Sequence, residues 1–391
     1  LLYVLCSVSA LSRTLYQILR CFTTRCFHLF LRLVAKRKGM VTKMKNEYRL
    51  ILIASLNMKT QYEIEQIYDL LETKLDWCEI AGQLFNHRLA GYFLLGLTKD
   101  QQKKIPRELR KAIELLIVAQ RQQTIKKYEI IKPILAEFRK ENLRYAGLKG
   151  LIFNIDNYQM GIRRSNDIDL LVPELELSKL DEILRKFGYI QSFLPEGKLV
   201  EASKKQKLIQ RMNYHDLVPY VKAIDNGINE IDINFIFDTK ENEITQKIFN
   251  MELTEYKNDE YSVIGLPFET NLAFLCIHFF REGTNSLWTD GKRDVVLYKL
   301  VDIMNVIRKY KDVFNIEKWA TLVKQLEIDH KCYYTFYMLA QFYPEDELLQ
   351  KLLKLLEPVD KSYLFEVKIE GQNRIVKRTE SFYDAAFNHI R

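Results

Sequence analysis

Cysteine is scarce in this chain of 391 residues and poorly placed for chemistry: of six, Cys6, Cys21 and Cys26 fall in the first 46 residues, and Cys78, Cys276 and Cys332 are far apart. No zinc spacing and no disulfide framework is encoded, and reduced thiols fit a cytoplasmic location. Glycine (14) and proline (8) are also few, which excludes collagenous and low-complexity architectures. Neither an internal repeat nor an uncharged run of the roughly 18 to 20 residues that cross a bilayer is present. A general excess of basic charge is missing too. The formal charge is +8, yet residues 1–46 hold nine Lys or Arg and no acid, leaving 50 basic against 51 acidic side chains in the rest. Charge therefore implies no nucleic-acid partner.

What is present is apolar mass, 48% of the residues, enough for a sizeable core. The first 46 residues form a basic, apolar leader whose charge follows its apolar run, the reverse of a secretion signal. The chain opens on Leu and its first methionines are Met40 and Met44. The leader is expected to be translated upstream sequence or a non-native extension, the alternative being an interfacial contact of residues 1–38 with a membrane.

Apolar spacing of three and four predicts helices over 62–75, 78–97, 100–119 and 127–141. Gly147 and Gly150 break that pattern. Residues 167–172 read as a short strand ended by Pro173, followed by a helix capped by Ser178 and stopped by Gly188. Strands over 217–224 and 229–237 flank Asp225-Asn226-Gly227, a hairpin signal because Asn and Gly tolerate positive φ. Pro219 is expected to place the first of them at a sheet edge. Helices return over 274–280, 294–308, 316–325 and 333–342. The expected domains are the leader 1–46, a helical region 47–142, an α/β core 143–265 and a helical region 266–391.

The chemistry is expected in Arg163-Arg164-Ser165-Asn166-Asp167-Ile168-Asp169-Leu170-Leu171-Val172. Residues two apart in a strand share a face, so Asp167 and Asp169 present paired carboxylates while Ile168 and Leu170 enter the core. Chance placement of 51 acids in 391 positions gives about seven such pairs, so spacing alone decides little. The apolar strand raises this pair, because a lone buried carboxylate is costly. Asp232 is a third candidate, on an alternating strand with Glu230 and Asn234 on its face. Three converging carboxylates suit Mg²⁺ and two-metal phosphoryl transfer. In that chemistry Asp167 and Asp169 hold the triphosphate metal, and Asp232 helps hold a second and activates the attacking hydroxyl. Lys149 and Gly150 open a helix whose backbone amides can cradle phosphate, and Arg163 is a candidate bidentate phosphate donor.

Leu148-Lys149-Gly150, Arg163 and Asp167-Ile168-Asp169-Leu170-Leu171-Val172 together resemble the nucleotidyltransferase superfamily of the DNA polymerase β type. More narrowly, they resemble a bacterial group of uncharacterised nucleotidyltransferases in which an LKG motif precedes R-x-x-x-D-[IV]-D. The likeness extends to Leu75-Asp76-Trp77, Gly188-Tyr189, His215 with Pro219-Tyr220, Glu230 through Asn234, and His278 with Asp302-Ile303, about residues 60–310. The resemblance implies an α+β fold, a polymerase β-like core of small mixed or antiparallel sheet with flanking helices, between N-terminal and C-terminal helical regions. It implies transfer of a nucleotidyl group from an NTP, ATP in the first instance, to a hydroxyl of a small molecule or protein. Mg²⁺ is the expected cofactor, with Mn²⁺ as a substitute, and pyrophosphate the second product. Two departures stand out: Leu151 follows Gly150 where the superfamily carries Ser, and Asn234 stands where the group often has His.

His215 and His278 are expected to be structural, and Phe274, Phe279, Phe280 and Trp288 to be packing residues. The lysines of 203–207 read as a solvated face. Two other functions compete. One is a catalytically inactive nucleotide- or partner-binding protein of the same fold. The other is a metal-dependent glycosyltransferase, disfavoured because about a hundred residues of helix precede the motif where a nucleotide-binding α/β region is needed.

Overall fold

The computed structural model describes residues 44–225, 227–238 and 243–388. The expected leader up to residue 43, with its three cysteines, and Asn226 of the hairpin lie outside the described residues. The described residues from 47 onward form one compact unit. Among the described residues there are 17 helices and nine strands, and no helix is long and apolar enough to cross a membrane.

Six helices come first: α1 (Asn46–Ala54), α2 (Gln61–Leu71), α3 (Trp77–Asn86), α4 (Ala90–Leu95), α5 (Lys99–Lys103) and α6 (Arg107–Lys140). Thr60 starts α2 through a capping box with Glu63, and Asp76 caps α3 by accepting from the Cys78 and Glu79 amides. The helix expected over 78–97 is broken between α3 and α4, where Arg88 takes a φ of 56°. The helices expected over 100–119 and 127–141 are redistributed. α5 stops before Pro106, and α6 runs unbroken for 34 residues with Pro133 inside it. Gln120 and Thr124 lie buried on its inner face, with the Thr124 hydroxyl bonded to the Gln120 carbonyl at 2.8 Å; these polar residues hide the apolar period.

The centre of the chain adds β1 (Ala146–Gly147), α7 (Gly150–Asp156), β2 (Ile168–Leu171), α8 (Leu177–Lys186), β3 (Ile190–Gln191), α9 (Lys204–Asn213), β4 (Tyr220–Ile224), β5 (Gly227–Asn234), α10 (Ile244–Phe249), β6 (Thr254–Lys257) and β7 (Ser262–Gly265). Its sheet has seven strands in the order β3-β4-β5-β2-β1-β7-β6. It is mixed: β2 runs parallel to β5 and β1 to β7, and the other pairs are antiparallel. The α+β class agrees with expectation.

Two local expectations fail. β4 is not an edge strand, since β3 pairs outside it; Pro219 precedes its first residue, where only its carbonyl is used, accepting from the Ser192 amide at 3.0 Å. Ser178 caps nothing, because α8 begins at Leu177 out of a 3₁₀ turn over Glu174–Glu176. Gly188 does stop that helix, with a φ of 83°. The β4-β5 hairpin has Ile224 paired with Gly227, whose φ is 134°.

Ile168, Leu170, Ile231 and Ile233 pack with Ile131, Leu135 and Phe138 of α6 and with Leu180 and Leu184 of α8. That layer closes one face of the sheet. Alternation then sends Asp169 and Asp232 to the opposite face.

The chain ends with α11 (Phe268–Gly283), α12 (Ser286–Asp290), α13 (Leu297–Tyr310), α14 (Ile316–Gln325), α15 (Asp329–Phe342), α16 (Glu347–Leu356), the β8 (Glu366–Lys368) and β9 (Ile375–Lys377) hairpin, and α17 (Phe382–Phe387). α1 and α3 meet α17: Tyr48 stacks on Phe387 at 3.9 Å, and Gln83 Nε2 donates to the Phe387 carbonyl at 2.9 Å. A buried polar joint is centred on Asp302. Its Oδ1 accepts from the Tyr92 and Tyr158 hydroxyls, both at 2.8 Å, and its Oδ2 takes Arg163 Nε at 2.8 Å.

Asp302→Ala strands the buried Arg163 charge and two hydroxyls. We expect it to lower unfolding free energy by about 3–5 kcal/mol, read from urea denaturation. The double variant Arg163→Met with Asp302→Leu should recover most of that loss; equal loss in both would show that the ion pair is not what holds the joint.

Candidate active site

β2 and β5 are parallel and in register, with Asp169 opposite Asp232. Buried Ile and Leu neighbours pin both strands, so the two carboxylates emerge side by side on the free face. Asp167 lies one residue ahead of β2 and brings the third. Ligand oxygens of Asp167, Asp169 and Asp232 all lie within 4.8 Å of one another. The three acids of the sequence expectation therefore meet.

Such crowding is electrostatically unfavourable. Burial, then the charges of Asp169, Asp167 and Glu230, push the Asp232 carboxyl up to about 8. Asp169 is raised by burial and opposed chiefly by Lys149, and Glu230 is raised by burial and by Asp167 and Asp169. A hard divalent cation with oxygen ligands matches this donor set: it removes the repulsion without protonation.

Lys149 lies on Asp169, Nζ to Oδ1 at 2.7 Å. Burial works against its charge, but Asp169 and Asp167 outweigh it and hold the ammonium up. Its backbone is strained, with φ 45° and ψ −117°, a region that favours glycine. Gly150 is required by close approach: a Cβ there would overlap Ser165 Oγ and sit 2.9 Å from Arg163 Nη1. The amide cradle is smaller than expected, because the Leu151 and Ile152 amides already bond to the Leu148 and Lys149 carbonyls at 3.1 Å. Arg163 is not a free fork. Nε is committed to Asp302, and the guanidinium lies over the Phe153 and Tyr298 rings at 5.1 and 5.5 Å.

The acids open into a cleft of about 1320 Å³ that also holds residues the sequence did not single out, among them Arg88, Arg281, Tyr298 and Lys299. Lys299 contacts Glu282 and lies over the Trp288 ring at 5.1 Å. Burial first, then Lys149, Arg88 and Arg163, pull its ammonium down to about 7, against the opposing influence of Glu282 in contact with it. No spacing rule exposes this cluster, since its members come from separate segments. Behind the acids, Lys127 of α6 donates to the Ser165 carbonyl and steadies the loop that carries Asp167. Burial lowers it to about 8.

His215 and His278 line the cleft. Burial, followed by Arg281 and Lys149, depresses His215 to about 2; burial and Lys149 lead the depression of His278. Both imidazoles are neutral, so they can exchange hydrogen bonds and carry no charge. Phe279, Phe280 and Trp288 line the cleft as well, whereas Phe274 is a packing residue. The lysines of 203–207 are on α9, a helix capped by Ser203 with no buried residue.

The Asp232 carboxyl sets a pH dependence. In the metal-free protein it holds its proton to about pH 8, whereas the unfolded side chain releases it near 3.8. Its contribution to stability is therefore present below the unfolded value and lost as pH rises through the folded one. Lys299 and Lys127, lowered to about 7 and 8, act oppositely above those values, and the depressed His215 and His278 act oppositely below about 6.5, so the Asp232 contribution is read as the difference between native chain and variant across pH 4 to 7. We expect the melting temperature in chelator of the native chain to drop relative to that of Asp232→Asn as the pH rises across that window. The rise on adding Mg²⁺ should be larger at about pH 8 than at about pH 6, because binding must displace the proton. Parallel melting curves for the two proteins would refute the shift.

The sequence signature of a family described as uncharacterised nucleotidyltransferases matches residues 73–344. No curated protein and no solved structure matches the chain. The matched span runs from the start of α3 to the end of α15 and contains all three aspartates, and on that footing the chain belongs to this nucleotidyltransferase family.

Proposed function

We propose that the protein is a Mg²⁺-dependent enzyme that moves a nucleotidyl group from an NTP to a hydroxyl-bearing acceptor and releases pyrophosphate. A polymerase β-like superfamily core is part of the same reading. The observation that carries it is the paired register of Asp169 and Asp232, with Asp167 completing a set of oxygens within 4.8 Å.

Asp167 and Asp169 would hold the cation that accompanies the triphosphate, and Asp232 would share a second one. Bound magnesium, or manganese in its place, would supply charge to the entering and leaving oxygens. The chain's own residues do the rest. Lys149, Arg88 and Lys299 lie around one side of the cleft, and Arg163 Nη1 lies beside Gly150, so a polyanionic triphosphate relieves the repulsion among them. Lys149 would leave Asp169 for phosphate as the cation takes its place. The acceptor oxygen attacks the α-phosphorus, its proton passes to Asp232, and the bond to the bridging oxygen of the β-phosphate breaks. Asp232 is assigned the proton transfer because it would share the second cation, beside which the acceptor hydroxyl is held.

Asp167→Ala, Asp169→Ala and Asp232→Asn should each reduce transfer by about 10²–10⁴-fold with the fold retained. The measurement is label transfer from each α-³²P NTP, ATP first, in the presence of Mg²⁺ and a cell extract as the acceptor source. Transfer insensitive to all three substitutions would refute the assignment; nucleotide binding without any transfer would favour an inactive nucleotide-binding protein. Lys299→Ala should raise the KM for the NTP about tenfold, the loss of one charge-assisted phosphate contact.

A further inference from the structure

Among the described residues, arginines that are wholly or largely enclosed are paired with carboxylates, and Arg281 stands apart from them. Arg163 is paired with Asp302, Arg308 with Glu63 and Asp346, and Arg378 with Asp294. Arg281 differs: its Nη1 is enclosed by protein and meets no hydrogen-bond acceptor among the described residues. A guanidinium in that position is costly unless something absent from the bare chain completes it.

Its place in the fold says where that partner would sit. Arg281 lies on α11, three residues after His278, so the two share a helix face, and both line the cleft that holds the aspartates. The carboxylates whose charge reaches it are committed elsewhere: Asp238 binds Lys331 Nζ at 2.5 and 2.6 Å, and Asp216 accepts from Gln210 at 2.9 Å. Asp216 also bridges to Asn234, two residues beyond Asp232 on β5. Arg281 therefore belongs to the β5 end of the cleft. Lys149 and Arg281 both act on His215 and His278, so Arg281 adds a further cation on the α11 wall of the cleft.

Lys149, Arg88 and Lys299 are already available to a triphosphate. We propose that Arg281 seats an oxyanion, phosphate or carboxylate, carried by the hydroxyl acceptor, so that the acceptor is an anionic alcohol and not a neutral one. The fork of a guanidinium matches either oxyanion in a bidentate way. Neutral His215 and His278 can add hydrogen bonds without adding charge. The assignment to an acceptor rests on the nucleotidyltransferase reading above; the anion seat itself rests on Arg281.

The test is equilibrium dialysis of the full chain against labelled inorganic phosphate and, separately, labelled acetate. Each is run alone and with a saturating Mg²⁺ complex of an ATP analogue that cannot be cleaved between the α- and β-phosphates. We expect the native chain to bind one oxyanion with the analogue present, Arg281→Gln to weaken it at least tenfold, and Arg281→Lys to weaken it less. The affinity for the analogue should be the same in all three. The stronger of the phosphate and acetate arms identifies the acceptor's acid group. Oxyanion binding unchanged in Arg281→Gln, displaced by the analogue, or absent in the native chain overturns the proposal. If the analogue does not bind, the nucleotidyltransferase reading fails by itself, and the arm without nucleotide still decides the anion seat. Should Arg281→Gln fail to fold, phenylglyoxal modification of the native chain mapped by mass spectrometry replaces it: slowing at Arg281 by the oxyanion supports the seat, and an unchanged rate overturns it.

Discussion

Repulsion among carboxylates is the constraint around which the centre of this protein is organised. Two unit charges about 4 Å apart oppose each other by about 4 kcal/mol at an effective dielectric near 20, and here three such groups converge. Nothing in the side chains themselves keeps them together. The parallel pairing of β2 with β5 does so, through backbone hydrogen bonds and a layer of Ile and Leu beneath them. The free energy of forming the sheet thus imposes a geometry that the acids alone would avoid. The raised Asp232 carboxyl and the Lys149 ammonium resting on Asp169 are two consequences of that imposition.

Rigidity around the acids comes from a second polar centre. Asp302 draws Tyr92 from α4, Tyr158 from just beyond α7, and Arg163 from the loop before β2 onto one carboxylate of α13. Both helical regions are thereby tied to the loop that delivers Asp167. The Arg163 guanidinium also comes within reach of Gly150, where no side chain larger than hydrogen fits. A site that must hold carboxylates in a disfavoured arrangement gains from such a support, because slackening of the loop would let Asp167 drift away from its neighbours.

Part of this was readable in the linear chain. Asp167, Asp169 and Asp232 stood out because acids interrupted apolar, alternating segments, and alternation decides which face a side chain takes regardless of what packs there. The α+β class and the helix over Ile316–Gln325 followed from periodicity in the same way. Periodicity misled where buried polar residues replaced apolar ones, as with Gln120 and Thr124 in α6, and where the chain turned without Gly, as at Arg88. Two-residue strands such as β1 and β3 have no period to detect. Arg163 was chosen as a phosphate donor by residue type, but its nearest acid, Asp302, lies 139 positions away.

Local alternation and backbone conformation were enough to mark the three carboxylates, the glycine near them and the strands that carry them. The cations around the acids were settled by long-range packing. Arg88, Lys299 and Arg281 come from segments far apart in the chain, and a long-range electrostatic field has no signature in nearest-neighbour order; it exists only once packing has fixed the distances and excluded the water that would otherwise screen them.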